Sequence, residues 1–407
     1  MHVDAERLWS DLMTLGTIGA LPHGGCDRMA LTDADRDGRN LFAHWCSEAD
    51  LTVSIDAMGN MFARREGSDP SLAPVMAGSH LDTQSPGGKF DGPLGVLAAL
   101  AAVRALDHAG VTTRRAIEVV NWTNEEGARF APGLMGSAVF AGAMDLAAAL
   151  AVTDRAGRCV GDELARIRYA GDAPVGGRPV DSYFELHIEQ GPELEAAGIT
   201  IGAVTHSHWS TITDIECRGE NGHISSLPML RRRNALVGAA RLIAEIDRIG
   251  LAAAPAGSAS AVVIDAWPNN RINIPHRAVF SYGIIHPEAE GLERMQAAID
   301  AATQAVAEET GLAFKPLIVR RREPVYFTDE LVTMAERAAG ELGHSVTRMR
   351  TRPAHDAFNM LRVCPVELIF VPCRDGISHN ELEYSTPQHC AAGADVLLQA
   401  VLERANR

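Results

Sequence analysis

The fold is decided by residues 73–106, which read APVMAGSHLDTQSPGGKFDGPLGVLAALAAVRAL. The apolar run at 73–77 is typical of a strand, and it ends at a glycine followed by polar residues. The run from Leu94 to Leu106 is rich in Ala, Leu and Val, which predicts a helix. A strand, a polar loop and a helix in this order are typical of an α/β unit.

Three further apolar runs resemble the first strand. They lie at 116–122, 183–187 and 366–371. Strands separated by helical patterns predict an α/β domain with a largely parallel sheet that helices cover on both faces. Ligands in such sheets bind beyond the carboxyl ends of the strands, so residues at these positions are candidates for a functional site.

Side chains that commonly bind metal ions stand at or just beyond the predicted strand ends, with one more just before the helix. They are His80, Glu125, Glu126, His187 and His379, and Asp91 before the helix. If they converge, three histidines and three carboxylates suffice for a two-metal hydrolytic site. Adjacent glutamates at the end of a buried strand would repel each other, so a cation is expected nearby.

Each candidate also has an ordinary interpretation. Asp91 is a preferred N-cap residue for the helix that follows it, and both roles are compatible. Glu125 and Glu126 taken alone are equally typical of a solvated loop, and His80 of a buried structural histidine. Asp82, two residues after His80, is predicted to accept the second ring N–H of this histidine and so orient it.

The character of the sequence changes between about Thr211 and Pro324. Strand patterns at 211–217, 261–266 and 278–285 alternate with helical patterns at 230–248 and 290–310, which predicts a compact α+β unit. Because His379 follows this unit, residues 211–324 are predicted to be an insertion into a catalytic domain formed by residues 1–210 and 325–407.

Composition narrows the class of protein. The formal net charge of −15, from 37 Lys and Arg against 52 Asp and Glu, argues against a nucleic-acid partner. No secretory signal is apparent, and the longest apolar stretch has about eleven residues, short of the ~20 that span a bilayer. The seven cysteines lack a C-x-x-C pair and are interpreted as reduced thiols. A cytoplasmic protein without membrane contact is predicted.

Three motifs together resemble the hydantoinase/carbamoylase family of amidases. They are SHLDT at 79–83, WTNEEG at 122–127 and HIEQGP at 187–192. This family includes N-carbamoyl-L-amino-acid hydrolases, allantoate amidohydrolases and some β-ureidopropionases, and it is related to aminoacylase-type metallopeptidases. The resemblance runs from about residue 7 to residue 384 and implies a di-metal exopeptidase-like catalytic domain.

The resemblance implies a role for each candidate ligand. Asp91 would bridge two divalent ions, with His80 and His187 on one ion and Glu126 and His379 on the other. Glu125 would be the general base and then the acid, while a metal-held hydroxide attacks the amide or ureido carbonyl. Zinc is the favoured metal, and manganese, cobalt or nickel are alternatives.

The resemblance also implies that the inserted unit is a lid and homodimerisation domain. His223 would stabilise the oxyanion in a neighbouring active site, an interaction whose loss can cost ~2.7–4 kcal/mol in the transition state. Gln190 and Asn273 stand at substrate-facing places. The chain departs from the family at Ile285, where relatives commonly have an arginine that clamps the substrate carboxylate.

The predicted activity is hydrolysis of a linear C–N bond in a small N-carbamoyl, ureido or related N-acyl compound. Ile285 makes simple N-carbamoyl α-amino acids doubtful substrates, since isoleucine cannot bind a carboxylate through paired hydrogen bonds. Arg352 is a candidate replacement for the anion contact. Two alternatives are a dipeptidase or aminoacylase that uses the same site and a catalytically silent metal-binding relative.

Overall fold

The computed structural model describes residues 1–407. Residues 1–205 and 326–407 together form one compact unit, and residues 206–325 form a second. We call them the first unit and the second unit. The predicted roles of these parts as a catalytic domain and a lid stay predictions.

The chain contains fourteen strands and twelve α-helices. The strands are β1 Thr52–Ile55, β2 Met61–Arg65, β3 Val75–His80, β4 Ile117–Trp122, β5 Ser182–Ile188, β6 Ile201–Ser207, β7 Trp209–Arg218, β8 Gly222–His223, β9 Ser258–Trp267, β10 Asn273–Ile274, β11 Arg277–His286, β12 Ala313–Arg322, β13 Val346–Thr351 and β14 Val366–Val371. The helices are α1 Ala5–Leu15, α2 Asp33–Glu48, α3 Pro93–His108, α4 Met135–Phe140, α5 Leu146–Leu150, α6 Val160–Ile167, α7 Glu193–Ala197, α8 Ala235–Ala253, α9 Ala289–Thr310, α10 Asp329–Glu341, α11 Asp356–Met360 and α12 Pro387–Ala405.

The first unit is built on an eight-stranded sheet in the order β1-β2-β4-β3-β5-β14-β6-β13. The four neighbours β4, β3, β5 and β14 run parallel, whereas β1, β2 and β6 join them in antiparallel pairs. The predicted α/β class with a mostly parallel sheet is confirmed. The sheet differs from a fully parallel one at its antiparallel strands.

The four parallel strands are buried at every position. Such strands read as continuous apolar runs because packing covers both of their faces. α3 and α12 pack against β3 and β5, and α11 packs against β5 and β14. α3 begins with Pro93 and is buried around most of its circumference, which explains why its sequence is apolar without a clear polar face.

The second unit is a four-stranded antiparallel sheet in the order β12-β7-β11-β9, with α8 and α9 packed against it. Burial alternates along β11, where Ala278, Phe280, Tyr282 and Ile284 face the helices. One covered face and one open face produce this alternation. The short strands β8 and β10 form a separate antiparallel pair.

None of the helices combines the length and the apolar character that crossing a membrane requires. All seven cysteines are free thiols, and every one except Cys159 is buried.

Candidate metal centre

The candidate ligands come from the carboxyl ends of the parallel strands. His80 ends β3 and stands opposite Trp122, the last residue of β4. His187, near the end of β5, stands opposite Phe370 of β14. Because parallel strands bring their carboxyl ends to one edge of the sheet, residues far apart in the chain meet there.

Two groups of ligand atoms share one carboxylate. His80, Asp91 and His187 form one group, and Asp91, Glu126 and His379 form the other, each with its ligand atoms within 4.8 Å of one another. Oδ1 of Asp91 lies 3.1 Å from Nε2 of His187, and Oδ2 lies 3.2 Å from Nε2 of His379. Asp91 therefore presents one oxygen to each group.

The surroundings of the two groups suit cations. His80, Asp91 and His187 are almost fully buried, and Nε2 of His80 has no hydrogen-bond partner. The nearest carboxylate oxygens to that nitrogen are Oε2 of Glu125 at 3.5 Å and Oδ1 of Asp91 at 3.6 Å. A buried imidazole nitrogen without a partner, facing several carboxylates, fits a divalent ion with nitrogen and oxygen ligands.

The ring orientation of the two buried histidines is set by backbone carbonyls. Nδ1 of His80 lies 2.8 Å from the carbonyl oxygen of Asp82, and Nδ1 of His187 lies 2.9 Å from the carbonyl oxygen of Ile188. A hydrogen bond from Nδ1–H leaves the unprotonated Nε2 of each ring free to bind an ion.

The predicted contact between the carboxylate of Asp82 and the ring of His80 is not made. Its nearer oxygen lies 3.9 Å from Nδ1, too far for a hydrogen bond. Instead, this carboxylate accepts the backbone N–H groups of Glu125 and Glu126, each at 3.2 Å. Asp82 therefore orients His80 through its backbone and holds the two glutamates through its side chain.

Glu125 lies beside the first ligand group and is largely buried. Burial raises the pKa of its carboxyl group well above the usual value, and the neighbouring charges of Asp356 and Glu126 raise it further. A carboxylate with raised basicity, close to the ligand nitrogens, is placed as a general base requires.

Several residues in turns at the site adopt a left-handed backbone conformation. φ is +56° at Asn124, +56° at Gln190 and +52° at His379, a conformation uncommon for residues other than glycine. Gly92 has φ +80°, and a Cβ atom there would lie 2.3 Å from the ring of His80. Glycine at 92 thus allows the loop that carries Asp91 to approach His80 closely.

The remaining predicted residues occupy different surroundings. Nε2 of Gln190 donates to Oδ2 of Asp91 at 2.7 Å, so this side chain contacts a candidate metal ligand. Nη2 of Arg352 lies 3.6 Å from Oε1 of Glu193. His223 and Asn273, both in the second unit, stand opposite each other in the β8–β10 pair. The substrate roles predicted for Gln190, Arg352, His223 and Asn273 stay predictions.

Comparison with known proteins assigns the family. Residues 76–403 match peptidase family M20/M25/M40. The chain belongs to this family. It is 43% identical over 404 residues to an N-carbamoyl-L-amino-acid amidohydrolase of Rhizobium meliloti, covering 99% of this chain and 97% of that protein. It is 32% identical over 410 residues to a ureidoglycolate hydrolase of Arabidopsis thaliana, covering 98% of this chain and 86% of that protein.

A solved structure gives the same assignment. The amidase of the hydantoinase/carbamoylase family from Burkholderia vietnamiensis is 44% identical and superimposes with a TM-score of 0.95, covering 100% of this chain and 98% of that chain. The predicted resemblance to this amidase family is confirmed. The predictions of an enzyme and of a hydrolase acting on non-peptide C–N bonds are confirmed with it.

A second layer of polar residues in this M20-family protein was not predicted from the sequence. Glu185, two residues before His187 on β5, accepts hydrogen bonds from Oγ of Ser79 at 2.7 Å and from the backbone N–H of Ala357 at 2.8 Å. Asp356 is fully buried and accepts a hydrogen bond from Ser137. A carboxylate inside an otherwise apolar strand was the signal available at Glu185.

Proposed function

We propose that this protein is a two-metal amidohydrolase that cleaves a linear C–N bond of an N-carbamoyl, ureido or related N-acyl compound. The observation that carries the proposal is the shared carboxylate of Asp91, which presents one oxygen to each of two ligand groups. The relatives are named for N-carbamoyl amino acids and for ureidoglycolate, two compounds that contain a ureido group.

In this proposal, His80 and His187 hold one divalent ion, Glu126 and His379 hold the other, and Asp91 binds both. Zinc suits the mixed nitrogen and oxygen ligands, and manganese, cobalt and nickel are alternatives. The ions would supply Lewis-acid polarisation of the carbonyl and acidify water. Glu125 takes the proton of the attacking water and delivers it to the leaving nitrogen.

We further infer which residues act on the substrate. His223 would donate a hydrogen bond to the developing oxyanion, and Asn273, Gln190 and Arg352 would contact the substrate. Ile285 is an apolar residue at the position where the family resemblance implies an arginine that binds the substrate carboxylate. This substitution favours a substrate without a carboxylate at that place.

We propose a homodimer formed through the second unit. Its edge strands expose large apolar side chains, among them Val262 on β9 at 72% and Val319 on β12 at 60%. Apolar residues on unpaired sheet edges are typical of surfaces that a second chain covers. The free state of all seven cysteines supports a reducing compartment, and we propose the cytoplasm.

Turnover of the metal-loaded protein tests the proposal. N-carbamoyl amino acids, ureido acids, N-acyl amino acids and dipeptides are supplied in turn, and released ammonia and amine are measured. Ammonia release from a carbamoyl or ureido compound supports the proposal. Release of free amino acids from dipeptides or N-acyl amino acids alone would instead indicate a peptidase or aminoacylase.

The variant Glu125→Gln tests the catalytic assignment. We expect kcat to fall by about 10²- to 10⁴-fold, because glutamine keeps the shape of the side chain but cannot accept the proton. Both metal ions should stay bound, which elemental analysis of the purified variant measures. Turnover equal to that of the wild type would contradict the assignment of Glu125.

A further inference from the structure

Glu383 is a buried carboxylate close to the candidate metal centre that no predicted role uses. It is 5% exposed and lies four residues after His379. Oε1 accepts the backbone N–H groups of Phe90 at 2.9 Å and of Asp91 at 3.0 Å. Oε2 lies 2.9 Å from Oγ of Ser378, which donates to it. One carboxylate thus joins the loop that carries Asp91 to the segment that carries His379.

Ser378 extends this connection to the side chain of Asp91. Its Oγ lies 2.8 Å from Oδ2 of Asp91, the oxygen that faces His379. A serine hydroxyl has a single proton, so its donation is divided between Asp91 and Glu383. The backbone and the carboxylate of Asp91 are therefore both connected to Glu383.

The loop before Asp91 is shaped to admit Glu383. A Cβ atom at Gly88 would lie 1.9 to 2.4 Å from the carboxylate atoms of Glu383, so any other residue there would displace the carboxylate. In addition, the ring of Tyr384, the residue after Glu383, packs edge-on against the ring of Phe90, with centroids 5.9 Å apart. Packing and hydrogen bonding both hold the two segments together at this point.

We infer that Glu383 is a positioning residue that sets the placement of Asp91 relative to His379. The inference rests on the proposed two-metal function, because Asp91 and His379 are ligands only in that proposal. Residues that hold metal ligands in place commonly change metal affinity by ~10- to 100-fold when they are replaced. The effect should be greatest for the ion that Glu126 and His379 hold.

The test is titration of the metal-free protein with Co²⁺, using calorimetry and the visible spectrum. The variant His379→Ala identifies the binding phase of the second ion. In Glu383→Ala, we expect affinity for that ion to fall ~10- to 100-fold, with a smaller change for the ion held by His80 and His187. Turnover of Glu383→Ala should recover when Co²⁺ is in large excess.

Two further variants distinguish the loss of these hydrogen bonds from a nonspecific disruption of the fold. Glu383→Gln keeps an oxygen for the two N–H groups and can donate to Ser378, so its loss of affinity should stay below about threefold. Ser378→Ala keeps the bonds to the loop and removes the connection, and its affinity for the second ion should fall by about tenfold. If Glu383→Ala does not fold, these two variants still decide the question.

The control is Glu367→Gln, which alters a buried carboxylate of β14 that contacts none of the candidate ligands. It should bind both ions as the wild type does. The inference is wrong if Glu383→Ala binds both ions normally, if both affinities fall equally, or if Glu383→Gln is as defective as Glu383→Ala. It is also wrong if Ser378→Ala binds the second ion normally. A wild type that binds fewer than two ions or lacks turnover would instead contradict the proposed function.

Discussion

Glu367 lies in a buried environment that disfavours a charged carboxylate. It lies on β14, is fully buried, and neither of its oxygens has a hydrogen-bond partner. Burial raises the pKa of its carboxyl group well above the usual value, and the charge of Glu336 raises it further. The folded protein therefore keeps this residue protonated at pH values where the unfolded chain ionises it.

The raised pKa predicts how stability changes with pH. The stability contributed by neutral Glu367 is complete below the unfolded pKa of ~4.3 and is lost as the pH rises through the folded pKa. We expect Glu367→Met to raise the thermal midpoint, with a gain that grows as the pH rises from the unfolded pKa toward the folded pKa. The difference in stability should grow by at most ~1.4 kcal/mol for each pH unit.

Thermal denaturation at a series of pH values checks this expectation. The matched control is Glu118→Met, because Glu118 is also buried but pairs with Arg64 at 3.0 Å and Arg178 at 2.6 Å. That variant should lower the midpoint, since Arg178 loses its carboxylate partner and Arg64 keeps only that of Glu66. A gain for Glu367→Met that is the same at every pH would contradict the protonation argument.

At the scale of single elements, continuous burial made four strands predictable from the sequence. β3, β4, β5 and β14 are buried throughout, and their continuous apolar runs were predicted. β12 was not predicted, because nearly all of its positions are exposed and no alternation marks it. Its existence depends on hydrogen bonding to β7, which no local pattern reports.

The exposed edges of the second-unit sheet predict an effect on assembly. We expect the wild type to be a dimer and the double variant Val262→Lys with Val319→Lys to be a monomer. Lysine on a sheet edge opposes pairing with another chain because its charge would be buried. Sedimentation velocity measures the two states.

The control for this prediction is Leu251→Lys, at the carboxyl end of α8. Leu251 is also 72% exposed but lies on a helix rather than a sheet edge. This variant should remain dimeric. A dimeric double variant would show that the edges of β9 and β12 are not the interface.

At the scale of the whole molecule, the proposed dimer predicts complementation between defective chains. His223→Ala alone should lower kcat by ~10²- to 10³-fold if His223 stabilises the oxyanion. In a mixture with Glu125→Gln, half of the dimers combine both variants, and each holds one intact site if His223 acts across the dimer. About a quarter of wild-type activity should return.

Activity of the mixture is compared with each variant alone after exchange of subunits. Recovery identifies a histidine supplied by the partner subunit. A mixture no more active than the average of its components would place His223 in the site of its own chain, or outside the site altogether. The single variant His223→Ala distinguishes these two results by its own kcat.

The sequence by itself determined the α/β class and the chemical types at the site. His80, Glu125 and His187 could be predicted as members because each stands at or beyond the end of an apolar run, where sheet ligands gather. Glu383 could not, because a polar residue in a loop has no periodic pattern, and its contact with Asp91 spans 292 positions of the chain.

Only the tertiary structure decided how these groups face one another. The register of the parallel strands brings His80 and His187 to one edge, and loop packing turns one oxygen of Asp91 toward each ligand group. The tertiary structure also directs the carboxylate of Asp82 to the backbone N–H groups of Glu125 and Glu126 rather than to the ring of His80. The physical reason is that sequence specifies a side chain's chemistry locally, whereas its direction depends on contacts with residues far along the chain.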